Sequence, residues 1–252
     1  MSYSITKKEM IDDLKSIGVE EGMELEVHCS LSKFGYVDGG AETVISALQE
    51  CCGKNGSIFM PALRLSPELE LTEEDKKLGI TTKIRILSED CDRSAMGIVA
   101  DTFRKLPDTI TGKGVFRISG WGKNADEAAN GGLNYMIHNG GKALLLGVDI
   151  YKLTAMHYVE ELLPKEINDI FTPNDSISAI YPPEEWLVEA GSPPVKAWYT
   201  IQERAYEKGM IKNGFIGKCP VMFFNIWDVV ELYAGQLREN PYVLYGLEQS
   251  KM

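Results

Sequence analysis

The apolar positions along the N-terminal third change period three times, and each change predicts an element. Met10, Leu14 and Ile17 fall on one stripe behind a capping box made by Thr6 and Glu9, and Gly18 supplies the stop, so the chain begins with a helix. In "ELEVHCSL", Leu25, Val27, Cys29 and Leu31 alternate with Glu26, His28 and Ser30, the period of a half-buried strand. In "GGAETVISALQECCG", Val44, Ile45, Leu48, Cys51 and Cys52 return to one helical face that ends at Gly53, and "SIFMP" follows as a short buried strand. Strand, turn, helix and strand in this order form a βαβ unit, which implies parallel neighbours and helices over the sheet.

Further along, "AMGIVADTFRKL" reads as a helix with Ser94 as its N-cap and Pro107 as its terminator. "KALLLGV" is a continuous apolar run, as expected of a strand buried on both faces, and "TAMHYVEELL" follows as a short helix that stops before Pro164. "CPVMFF" predicts a strand, Asn225 an N-cap, and "IWDVVELYAGQL" an amphipathic helix. Two stretches, near 64–93 and 165–200, hold no sustained period and read as surface excursions. The expected architecture is a single α/β domain over residues 1–252. It has three layers, with a mostly parallel or mixed central sheet and helices on both faces.

Composition narrows the partners. Apolar residues make up 44% of the 252 and charged residues 25%, the balance of a soluble globular domain. The longest apolar runs are too short to cross a bilayer and the first residues lack the apolar centre of a signal peptide, so a cytoplasmic protein without membrane contact is expected. Five cysteines without metal-ligand spacing fit a reducing compartment and read as small core residues. A net charge of −11, from 26 basic and 37 acidic side chains, repels a phosphate backbone and argues against nucleic acid.

One short stretch offers chemistry. "LTAMHYVEE" places His157, one of three histidines, near the start of a helix after a buried strand, where α/β proteins commonly bind ligands. Glu160 and Glu161, at i+3 and i+4, can share its face, and a carboxylate there can orient the imidazole as a general base. The same spacing also suits an ordinary solvated helix face. A zinc site is not expected, since the position four residues after His157 is Glu161 rather than a second histidine, and His28 and His138 lie far away in sequence. No nucleophile elbow, phosphate-binding loop or dinucleotide fingerprint is present.

Three ordered segments carry a family resemblance. "VHCSLSKFGYVDGGAETVISALQECCGKNGSIFMPAL", "DRSAMGIVADTFRKLPDTITGKGVFRISGWGKNADE" and "KALLLGVDIYKLTAMHYVEE" together resemble the aminoglycoside 3-N-acetyltransferase family. The resemblance implies acetyl transfer from acetyl-CoA to an amino group of an aminoglycoside antibiotic or related amine, by direct attack and without a metal. It makes His157 the general base and Glu160 its carboxylate partner. Ser30, Leu31, Ser32, Gly35, Tyr36 and Val37 would then lie along the cofactor, with Ser94, Gly97, Thr111 and Lys113 adding phosphate contacts. Tyr151, Thr154 and Glu161 would face the substrate, and the family's frequent dimers make a homodimer the candidate assembly.

Two departures stand beside this. The family's R-S-x-H-P segment is replaced here by "ITGKG", and Tyr151 and Leu153 stand where Asp and Asn are common. A catalytically silent binding member and an acyltransferase for a different acceptor therefore remain as alternatives.

Overall fold

A computed structural model describes residues 4–247. The N-terminal half runs β1 (Ser4–Ile5), α1 (Lys7–Ile17), β2 (Glu24–Cys29), β3 (Tyr36–Val37), α2 (Gly40–Cys52), β4 (Ser57–Pro61), α3 (Glu73–Lys77), β5 (Ile80–Arg85), α4 (Gly97–Phe103), β6 (Ile110–Thr111) and β7 (Ile118–Gly122). The remainder runs α5 (Ala125–His138), β8 (Lys142–Leu146), two 3₁₀ helices at Ile150–Lys152 and Thr154–Leu162, α6 (Lys165–Phe171), α7 (Asp175–Ile180), β9 (Trp186–Ala190), α8 (Ala197–Glu207), β10 (Lys212–Ile216), β11 (Cys219–Asn225), α9 (Ile226–Glu239) and α10 (Pro241–Leu244).

Seven strands form the central sheet in the order β10-β11-β8-β2-β4-β7-β6. Only β2 with β4 and β2 with β8 pair in parallel, while the four outer pairings are antiparallel. The sheet is thus mixed rather than mostly parallel, because short returns such as the β10–β11 hairpin add antiparallel strands at both edges. The predicted βαβ unit is present as β2-α2-β4.

Strand periodicity divides the core between the two faces. Leu25, Val27, Ile58, Met60, Leu144 and Leu146 point to one side, where α1, α2 and α4 supply Leu14, Leu48 and Phe103. Phe59, Ala143 and Leu145 point to the other, under α5, α8, α9 and the Thr154–Leu162 segment. Both faces of the sheet are therefore covered, which gives the three layers expected from the sequence.

Several local expectations change. The α1 capping box holds as predicted, with Thr6 and Glu9 bonded reciprocally. Ser94 is not the N-cap of α4. That helix begins at Gly97, and the Ser94 hydroxyl instead donates to Asp101 (2.9 Å). Asn225 does occupy the cap position of α9, yet its side chain makes no capping bond. "TAMHYVEELL" forms a 3₁₀ helix rather than an α-helix. Cys51, Cys52 and Cys219 are core residues as expected, whereas Cys29 and Cys91 are partly exposed.

The two excursions meet. β5 and β9 pair antiparallel into a separate ribbon, which encloses a small core of Ile80, Ile177 and Val188. Its polar centre is Asp75, fully buried, paired with Lys83 and accepting a bond from the Tyr181 hydroxyl (2.5 Å). No helix among the described residues is long and apolar enough to cross a membrane.

Candidate functional site

The carboxyl ends of the three central parallel strands open into one cleft of about 590 Å³. The chain turns one way from β2 to β4 and the other way to β8, and such a change of direction leaves a crevice between the strand-end loops. Ser30 to Ser32 follow β2, Met60 and Pro61 end β4, and Val148, Tyr151 to Thr154 and His157 follow β8; all contribute to the wall. Gly147 lets two of these loops approach. It lies at φ +70, and a side chain there would collide with Lys33. Leu63, Leu65 and Glu68, on the segment after β4, and Ile84 of the ribbon complete the lining.

His157 stands on the Thr154–Leu162 3₁₀ helix, where side chains three apart eclipse one another. That geometry selects Glu160 over Glu161. Nδ1 of His157 lies 2.9 Å from a carboxylate oxygen of Glu160, with the two side chains 53% and 41% exposed. The edge of the ring rests against Trp198 of α8 at 4.9 Å between centroids. With its Nδ1 proton donated to Glu160, the imidazole keeps the Nε2 lone pair for a proton from the cleft. Glu161 is exposed and outside the cleft wall.

Of the other expected contacts, the structure brings Ser30, Leu31, Ser32, Gly97, Tyr151 and Thr154 to the same cleft. The Ser30 and Ser32 hydroxyls lie 3.2 Å apart at its edge. Gly35, Tyr36, Val37, Ser94, Thr111 and Lys113 do not line it. Tyr36 projects to solvent, and Val37 belongs to the core. The Thr111 hydroxyl is bonded to that of Ser119 (2.8 Å), while Lys113 is exposed on the turn before β7. Arg117 is likewise committed, donating to the carbonyls of Ala62 and Glu89. Among the described residues no group of three or more metal-ligating side chains could hold an ion.

Sequence reasoning missed a second histidine in the wall. The alternation in β2 predicts Glu26 and His28 on a solvated face, but both are buried, at 4% and 7% exposure. The face they occupy is the one covered by the Thr154–Leu162 helix. His28 Nε2 lies 2.8 Å from a Glu26 oxygen, which also accepts the Ala155 amide (3.3 Å); the Thr154 amide approaches the same histidine nitrogen at 3.4 Å. The other Glu26 oxygen has no partner among the described residues. This pair sits beneath the start of the helix that carries His157.

Charge around the cleft is mixed. Glu189 of β9 is half-buried, and burial pushes its carboxyl above the usual range, reinforced by Glu160 and Glu68 and opposed by a bond from Thr82 and by His157. Burial, with neighbouring Tyr199 next in weight, pushes the Tyr151 hydroxyl up to about 12, so the ring is neutral at physiological pH.

Comparison with known proteins matches residues 27–238 to a family model described as aminoglycoside 3-N-acetyltransferase. The SPbeta prophage-derived aminoglycoside N(3')-acetyltransferase-like protein YokD of Bacillus subtilis is 28% identical over 188 residues, covering 65% of this chain and 67% of that protein. Aminoglycoside N(3)-acetyltransferase III of Acinetobacter baumannii is 26% identical over 187 residues, and the chain spans 62% of itself and 60% of that relative. Among solved structures, a binary complex of AAC-IIIb with CoASH superposes with a TM-score of 0.68 at 19% identity, covering 94% of this chain and 97% of the other, which shows a common fold.

Proposed function

The chain belongs to the aminoglycoside 3-N-acetyltransferase family, and from that premise we propose that it transfers the acetyl group of acetyl-CoA to an amine, with His157 as general base. The observation that carries the reading is the His157–Glu160 pair at the mouth of the strand-end cleft. An amine that has lost its ammonium proton to solvent attacks the thioester carbonyl. A C–N bond forms, the nitrogen passes a proton to Nε2 of His157, and the C–S bond breaks as the departing thiolate takes that proton to leave as CoA thiol. Net, the ammonium and acetyl-CoA give an amide, CoA and one proton.

Glu160 fixes the tautomer that leaves Nε2 free, and Trp198 limits the tilt of the ring. Ser30, Leu31, Ser32 and Gly97 hold the donor arm in this reading, since they line the cleft together. Holding both reactants in one cleft removes much of the entropic barrier to their encounter.

Titration calorimetry with acetyl-CoA alone tests the donor half. Binding in the micromolar range supports transfer. No binding at millimolar ligand removes the transferase reading and selects the second one, a binding protein that keeps the fold without turnover. That alternative is favoured by the placement of Thr111 and Lys113 outside the cleft wall.

A further inference from the structure

The acceptor end of the cleft is built of rings. Tyr151, 36% exposed, lines the cleft next to His157. Behind it Tyr199 lies 4.4 Å away and Trp198 5.4 Å away between ring centroids, and Trp198 also supports His157. The Tyr199 hydroxyl bonds to Asp149 (3.1 Å), so this aromatic wall is fixed in place.

Positive charge already stands at this end of the cleft. Lys152 lines the cleft beside Tyr151, and the ammonium of Lys196 lies 5.4 Å over the Tyr151 ring. Glu68 is the single carboxylate among the residues that line the cleft. Glu160 lies outside that lining, paired with His157, and Glu189 of β9 is likewise outside it. Every ammonium drawn out of water needs a compensating partner, and this wall compensates one. The lining also includes the apolar side chains of Leu63, Leu65, Ile84 and Met96.

From these observations we infer that the acceptor is a monoamine carried on a flat aromatic body, an arylalkylamine. Its amino group lies between His157 and Glu68 and its ring against Tyr151. The inference rests on the acetyl-transfer reading and narrows its acceptor.

The test follows release of free CoA thiol at saturating acetyl-CoA, with 2-phenylethylamine and tryptamine set against sisomicin and apramycin. The arylalkylamines are expected to exceed the aminoglycosides in kcat/KM by about 10-fold or more, the worth of one well-placed ring contact. Tyr151→Phe retains that advantage. Tyr151→Asp, which removes the ring and adds a carboxylate, erases it mainly through KM. Equal or faster turnover of the aminoglycosides overturns the inference and leaves the transferase reading intact. So does acetyl-CoA binding by calorimetry with turnover of neither arylalkylamine, and so does an equal loss in Tyr151→Phe and Tyr151→Asp. Absence of acetyl-CoA binding overturns both readings together.

Discussion

Two histidine–glutamate pairs border the same cleft under opposite conditions. His157 and Glu160 are about half exposed on a 3₁₀ helix, whereas His28 and Glu26 are almost wholly enclosed on the central strand below it. An exposed pair can exchange protons with solvent and substrate, and its mutual attraction is weakened by water. An enclosed pair is held by the cost of leaving either member alone, and its Glu26 oxygen also accepts the Ala155 amide of the segment above. On the proposed reading one pair serves turnover and the other position.

Substitution of each histidine should separate those roles. His157→Ala is expected to lower kcat by about 10²–10⁴-fold, the usual share of a general base, with stability changed by less than about 0.5 kcal/mol. Steady-state kinetics and urea denaturation on the same preparation read both quantities, and unchanged turnover would remove His157 from the mechanism. His28→Ala should do the converse, costing about 3 kcal/mol of stability because Glu26 is left buried without its partner. Recovery of part of that loss in the double variant Glu26→Gln/His28→Ala would identify the stranded carboxylate as its cause.

The ribbon offers a third setting for a buried charge. Burial alone would raise the Asp75 pKa, but bonds from Lys83, Tyr181 and Thr72 outweigh it and hold the carboxyl well below the usual range. A depressed folded pKa contributes stability that is complete above the ordinary carboxylate range and is lost as pH falls through and below about 4. Asp75→Asn should therefore cost about 1.5–3 kcal/mol near neutrality, the scale of hydrogen bonds to charged groups. The variant should also flatten the acid dependence. Hydrogen exchange of the β5 and β9 amides is the measurement, and acid sensitivity equal to that of the unsubstituted chain would refute the assignment.

The smallest effect belongs to Glu160. Since water reaches both members of its pair, Glu160→Gln should reduce kcat by about fivefold or less. A loss beyond a hundredfold would mean that the carboxylate does more than orient the ring.

The sequence made the scaffold legible where pattern is local. The βαβ unit, the buried run of β8 and the helix at α9 each announce themselves within a dozen or so residues. Residues far apart in sequence but joined by tertiary pairing did not. β5 and β9 are short, carry Thr and Lys or Glu on their faces, and acquire strand character only from each other. Within the site, the i+3 relation of His157 and Glu160 was readable, but the choice against Glu161 needed the tighter 3₁₀ winding. Alternation in β2 reported correctly which residues share a face. It could not report that the polar face was covered by another segment, so Glu26 and His28 looked solvated. The aromatic wall was invisible for a similar reason, since Tyr151 and Trp198 meet only through the packing of α8.

The ribbon of β5 and β9 lies outside the ladder of the main sheet and bonds through Lys83 and Arg85 to the segment at Ser66 and Leu69. It nevertheless supplies Ile84 to the cleft wall, with Glu68 on the segment leading into it. Its own small core and its Asp75–Lys83 centre let it fold as a panel fitted to the scaffold rather than woven through it. On the acetyl-transfer reading, changes of size or charge in that panel are expected to alter what the cleft accepts while the parallel strands and the His157 segment keep their register. Acceptor choice in this architecture would then drift over generations independently of the His157–Glu160 pair.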